Sequence, residues 1–369
     1  MLTVLLIQIA FLIACIIIQQ YPEAAEFVTR TFVRGYVDGV GRVNSSLGFS
    51  ITEFSFFIVI ISSVIFLAWG FCLLRLKNVW GFIHRVLMIV LIIMGGVCMY
   101  NYTAGMEYHR QALPIEGYVG EIKEEEFKDI ATYFVEDYNK CANELEFDEK
   151  GEIILPYSRE HLVEAIRLEF DKLSDKYFHV FVPKAKPVTS SGLMTTVGIV
   201  GMYFSVLGEP NYSTYATNAE LPFYIAHETA HGVGAMREDD AQILALFVCA
   251  NSVDPLLRYS AYYNTIDRII NVLNYLDDQN VKKEVNSKID EKIYKNYSYI
   301  YQHWKGKMFL RDFGDKINDW YLKTFGQKKG TSSYEDTEPQ VDPGGKVISL
   351  SLYQKIYFEI YYKNNVSEG

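Results

Sequence analysis

Apolar residues are not spread evenly along this chain; they gather into three long runs near its N-terminus. The first, Leu2 to Ile18, contains no charged side chain and would measure roughly 26 Å as a helix, enough to cross a slightly thinned bilayer. The second extends from Phe54 to Leu74 and the third from Val86 to Tyr100. Arg75, Lys77 and Arg85 lie between them, which predicts a tight helical hairpin with a basic tip facing the cytoplasm, although Arg30, Arg34 and Arg42 match that basic count in the first loop. Residues 1–101 therefore read as a membrane anchor with spans at about 2–18, 54–74 and 86–100. A cleaved signal peptide is the rival for the first run, yet no basic segment precedes it and no A-x-A site comes before Tyr21. Leu12-Ile-Ala-Cys15 has the outline of a lipoprotein cleavage box, but three isoleucines follow where a processed chain would continue into a polar tether. Between the first two spans, Phe27, Phe32, Tyr36, Val40 and Val43 recur with a helical rhythm that predicts an interfacial helix.

Past Asn101 the pattern becomes that of a water-exposed domain, residues 102–369, mostly helical with a small sheet and so α+β in class. A charged helix is expected from Lys123 to about Glu146, with Phe127, Ile130, Ala131, Phe134 and Tyr138 on one face. Ser158 opens a second, with Leu162, Ile166, Phe170 and Leu173 as its buried stripe. Val180–Pro183 and Val197–Ser205 read as strands, being rich in β-branched and aromatic residues, and Gly208-Glu-Pro-Asn211 reads as a turn. From Pro255 onward aromatic and charged residues alternate in helical rhythm, and Gly330 to Gly345 reads as a loop or lid.

The formal net charge of −10 with no basic stripe excludes a nucleic-acid partner, which would need clustered Lys and Arg. Of five cysteines, Cys15, Cys72 and Cys98 sit in the apolar runs, leaving Cys141 and Cys249; this is neither a disulfide framework nor a thiolate metal site. Gly192, Gly198 and Gly201 lack the helix start that a phosphate-binding loop requires. His161 and His179 have no partner at ligand spacing and read as ordinary surface or core residues.

The chemistry gathers in Leu221-Pro-Phe-Tyr-Ile-Ala-His227-Glu228-Thr-Ala-His231-Gly-Val-Gly234. On a helix His227 and His231 share a face, so two imidazoles can reach one cation. Glu228 is displaced sideways, where it can act on a water as general base instead of binding the metal. A helix starting near Asn218 or Glu220 and ending at Gly232 and Gly234 is expected. A catalytic zinc needs a third protein ligand, and Arg237-Glu238-Asp239-Asp240 follows the glycine-broken helix closely enough to fold back toward it. Glu238 is the expected ligand because it shares a face with Ala241, Gln242 and Ala245, whose modest side chains permit close packing; Asp239 and then Asp240 are the reserves. The same acids also suit a helix N-terminus. An intramembrane site is excluded, since the apolar run around His227 is short and four charged residues follow it.

The run from His227 through Gln242, together with Gly198-Ile-Val-Gly-Met-Tyr-Phe204, Gly208-Glu-Pro-Asn211, Ile317-Asn-Asp-Trp-Tyr-Leu-Lys323 and Gly326-Gln-Lys-Lys-Gly330-Thr-Ser-Ser-Tyr334, resembles the domain-of-unknown-function 3810 family of bacterial membrane proteins. The three-span start fits as well, so the likeness covers nearly the whole chain. It implies a zincin-like, gluzincin-type metallopeptidase domain in a multi-pass bacterial cell-membrane protein. The E-x-x-A-[DN] pattern of other Glu-zincins falls on Glu238 and Ala241, with Gln242 departing where Asp or Asn would stand; a metzincin would want His at position 237, which is Arg237. The resulting expectation is a Zn2+ enzyme that cuts an extracytoplasmic peptide or envelope protein, with His227, His231 and Glu238 on the metal and Glu228 as base. An edge strand near Met202 to Val206 is the expected rest for substrate. A catalytically silent zinc-binding envelope scaffold is the alternative.

Overall fold

Lipid offers backbone amides no hydrogen-bond partner, so apolar runs of this length satisfy themselves as helices. In the computed structural model, which describes residues 1–111, 115, 117–173, 181–278, 280–334 and 338–365, the chain enters α1 (Leu2–Gln19), turns at Pro22 into α2 (Pro22–Val28) and continues through a π-helical turn into α3 (Arg34–Ser45). The hairpin of α4 (Ile51–Arg75) and α5 (Val79–Tyr100) follows, and α5 runs on through a second π-helical turn, Asn101–Gly105, into α6 (Met106–Tyr108). Among the described residues, three helices are thus long and apolar enough to cross a membrane: Leu2–Gln19, Ile51–Arg75 and Val79–Tyr108. The third begins seven residues before the expected Val86 because Arg85 does not interrupt it. The Arg85 guanidinium lies 3.8 Å over the Trp69 ring of α4, an arrangement that keeps an arginine inside a helical hairpin. Gln8 donates to the Leu91 carbonyl at 3.1 Å and ties α1 to α5.

The segment expected as an interfacial helix has two faces. Val33, Arg34 and Val37 are buried against the rest of the protein, whereas Phe27, Phe32 and Val43 are exposed.

The remaining elements are α7 (Phe127–Glu144), α8 (Arg159–Asp171), β1 (Lys186–Val188), α9 (Ser191–Thr196), β2 (Gly201–Phe204), β3 (Glu209–Ser213), α10 (Leu221–Gly232), α11 (Glu238–Ala250), α12 (Pro255–Ile270), α13 (Asn280–Ser287), α14 (Glu291–Trp304), α15 (Arg311–Thr324), β4 (Gln340–Val341), β5 (Val347–Ser349) and α16 (Leu352–Asn365). The protein is mostly helical with a small sheet. Helices α7, α8, α10, α11, α12 and α16 enclose the main core, where Phe134, Tyr138, Ile166, Ala226, Leu244, Tyr262 and Tyr357 meet. The predicted stripes of α7 and α8 face it, and Ser158 caps α8 by accepting from the His161 N–H.

The sheet has the order β1-β3-β2, with β1 parallel to β3 and β2 antiparallel to it, and it packs on α10. Glu209-Pro-Asn211, expected as a turn, is instead the start of the central strand. Proline is tolerated there because β1 pairs only from Asn211 onward, so at Pro210 the strand has a neighbour on one side alone. The turn is confined to Gly208, whose φ of +57° suits glycine and whose Cα faces Gly41 of α3. The strand expected at Val180–Pro183 begins instead at Lys186; Phe181–Pro183 carry no regular structure, and Val180 and His179 lie outside the described residues. Val197–Ser205 contains β2 but starts with the turn that follows α9. In Gly330–Gly345, a 3-10 turn over Gly330–Tyr334 and strand β4 occupy part of the expected loop.

Candidate metal centre

Helix α10 opens with Pro222 in its first turn, where no intrahelical N–H is needed, and carries Ala226 and Ala230 fully buried. Gly232 ends it against Pro183, whose Cγ would lie 2.4 Å from any added Cβ. Gly234 then takes a φ of +106°, open only to glycine without strain, and the chain reverses so that α11 starts at Glu238 beside the two histidines. The close return made possible by these two glycines is what selects among the three acids. Glu238 Oε2 lies 3.2 Å from His227 Nε2 and 3.4 Å from His231 Nε2. The three donor atoms all fall within 4.8 Å of one another and could hold a metal ion. Asp239 instead points outward, 56% exposed, and Asp240 pairs with Arg237 at 2.7 Å.

Proton placement follows from the surroundings. The ring of His231 is fixed by a 2.8 Å contact from Nδ1 to the Ala235 carbonyl, which makes Nδ1 the protonated nitrogen and leaves Nε2 for a cation. Burial opposes charge on His231, but the facing Glu238 and Glu228 carboxylates prevail and push it up to about 9. His227 goes the other way: burial lowers it, Glu238 only partly opposing, and its buried Nδ1 has no hydrogen-bond partner among the described residues. Glu238 is held well below the usual carboxylate range; burial works against this, and His231 and His227 outweigh it. Glu228 is buried beside the cluster, and this burial pushes its carboxyl up to about 8, against the pull of His231. Its Oε1 lies against Gly201 of β2, where a Cβ would come within 2.3 Å.

Several neighbours were not legible in the sequence. The Tyr108 hydroxyl donates to Glu238 Oε1 at 3.5 Å, and the Tyr334 ring sits 6.3 Å from that of His227. Tyr321 joins Tyr108 at 3.2 Å and also hydrogen-bonds Tyr100, the last residue of α5. Arg34, from the segment between the first two spans, donates to the Gly232 carbonyl at 2.6 Å and to Glu107 at 2.8 Å. Arg110 reaches the Gly234 carbonyl and pairs with Glu26 of α2. The end of α10 is thus held by two arginines from membrane-adjacent segments. His161, by contrast, stacks on Tyr157 away from the cluster.

A family model described as "Protein of unknown function (DUF3810)" matches residues 29–337, more than half of the chain. Neither the curated proteins nor the solved structures contain a match to it.

Proposed function

The chain belongs to the DUF3810 family of proteins of unknown function, and from that premise we propose that it is a membrane-anchored zinc-dependent peptidase of extracytoplasmic peptides or envelope proteins. The observation that carries this reading is the placement of Glu228: buried next to a two-histidine, one-glutamate cluster, yet packed on Gly201 of β2 instead of joining the cluster.

The donor set suits zinc, which accepts two imidazole nitrogens and one carboxylate and keeps a position open for chemistry. His227 Nε2, His231 Nε2 and Glu238 Oε2 would hold it, with the His231 ring oriented by Ala235 and the carboxylate steadied by Tyr108. When bound, the ion supplies a Lewis acid that polarises a carbonyl and makes water acidic enough to attack near neutral pH. Glu228, a carboxylate beside that position and outside the donor set, would be the base that takes a proton from the attacking water and returns it to the leaving amine. Strand β2 is an edge strand of its sheet, and an extended peptide can pair with such an edge.

A structural metal site is the second reading, and one observation favours it: Glu238 and His231 are buried beneath tyrosines. Zinc content and peptide-library cleavage, measured on wild type and Glu228→Gln, separate the two. The peptidase reading expects equal zinc with cleavage lost in the variant. Zinc in both with no cleavage by the wild type across a broad library would leave the scaffold.

A further inference from the structure

Helix α15 presents an apolar stripe to the outside. Phe313, Ile317 and Trp320 are 59%, 49% and 68% exposed and follow at helical spacing, with Phe309 continuing the line just before the helix. The opposite side carries Leu322, fully buried.

Both ends of this helix are held where membrane spans leave their apolar runs. At its start, the Leu310 N–H donates to the Thr196 carbonyl of α9 at 2.8 Å, and Gly314 approaches Val197 so closely that a Cβ would lie 2.0 Å from the carbonyl oxygen. Just before α9, the Thr189 and Ser190 N–H groups donate to the Glu53 carboxylate, in the first turn of α4. That first turn is itself fixed by Glu209 of β3, which accepts from the Thr52 N–H at 2.7 Å and pairs with buried Lys186 at 2.8 Å. At the other end of α15, Tyr321 hydrogen-bonds Tyr100, the last residue of α5, and the Phe325 ring packs 5.3 Å from that of Tyr100. A helix of 14 residues, roughly 21 Å long, therefore stretches between the emergence points of two spans.

We propose that α15 is an interfacial helix whose Phe313, Ile317 and Trp320 side chains insert into the bilayer that α4 and α5 cross. An aromatic and aliphatic stripe with tryptophan is the composition that settles at the headgroup boundary. Its flanks balance, Arg311, Lys316 and Lys323 against Asp312, Asp315 and Asp319, so the docking is driven by apolar insertion and does not require anionic lipid. One stripe a single side chain wide is narrow for a protein partner, which commonly supplies roughly 20 residues a side. Through Tyr321 and Tyr108 the same helix ties Glu238 to the membrane surface. This inference stands independently of whether the metal site cuts peptides.

The test is spin-label accessibility on the full chain in phosphatidylcholine nanodiscs, in a Cys72→Ser background, since the other four cysteines are buried. Labels go at Ile317→Cys, Trp320→Cys and, on the far flank, Asp315→Cys; unchanged thermal unfolding certifies each labelled fold. At 317 and 320, collisions with oxygen should exceed those with a water-soluble nickel chelate, the order reversing at 315, with no change when anionic lipid is added. Water-like readings at 317 and 320 would overturn the proposal. So would shielding from both reagents, which would mean that a second copy or another protein covers the stripe.

Discussion

Replacing Arg34 tests how the membrane-adjacent segment supports the metal-binding helix. Arg34 is 2% exposed and its guanidinium is divided among Glu107 Oε1 at 2.8 Å, Asp38 at 2.8 Å and the Gly232 carbonyl at 2.6 Å. Glu107 is 1% exposed, and its Oε2 has no hydrogen-bond partner among the described residues. Arg34→Met keeps the length of the apolar stem but leaves this carboxylate buried and unpaired. Breaking a buried pair from one side costs about 3–5 kcal/mol. At about 2–4 °C per kcal/mol for a domain of this class, Tm should fall by roughly 6–20 °C. Adding Glu107→Gln removes the orphaned charge and should restore more than half of the loss, because the penalty lies in the uncompensated ion more than in the missing attraction. Arg34→Lys should restore little, since one ammonium cannot reproduce the planar fork that reaches three acceptors. Thermal unfolding in one detergent at one scan rate, followed by near-UV circular dichroism, reads all four proteins. A single variant melting within about 1 °C of wild type, or a double variant no more stable than the single, would refute the reasoning.

Three further outcomes are expected. Glu238→Gln should lose bound metal by more than the roughly 10–100-fold typical of an outer partner, while Asp239→Asn should keep it; isothermal titration with zinc distinguishes the two acids. Gly201→Ala should leave metal content intact but displace Glu228; with a misplacement near 1 Å, peptide cleavage should fall by about 100-fold, and cleavage within twofold of wild type would contradict the assigned contact. Burial, with Asp137 adding to it, pushes the Cys141 thiol up to about 12, so the reactive thiolate is scarce below that pH; maleimide should label Cys141 and Cys249 at pH 8 only after unfolding, as counted by mass spectrometry.

The pattern of the sequence made the local features readable. Long uncharged runs have one solution in lipid, although the third helix begins at Val79, where Arg85 finds an aromatic partner across the hairpin, and runs on to Tyr108. Likewise, the four-residue spacing of His227 and His231 puts both imidazoles on one face of any helix, and Pro222 and Gly232 mark where that helix starts and stops. The approach of Glu238 to the two histidines is reachable from sequence because it depends on a short return through two glycines. The strand at Glu209 was misread because its proline and glycine are turn signals unless one knows which side of the strand is unpaired.

What the sequence alone determined, then, was the set of features that depend on neighbours within a few residues: three apolar spans, a helical domain with amphipathic stripes, and the HExxH helix with its candidate third ligand. Only the tertiary structure decided what surrounds the site. Arg34 and Gly232 are 198 residues apart, and Tyr108 and Glu238 are 130 apart, so no period or spacing signals their meeting. Nor could composition single out Tyr108, Tyr321 and Tyr334 among 28 tyrosines. Their roles come from position alone, fixed when the chain folds the end of a membrane span, the α15 helix and the Gly330 turn around one carboxylate.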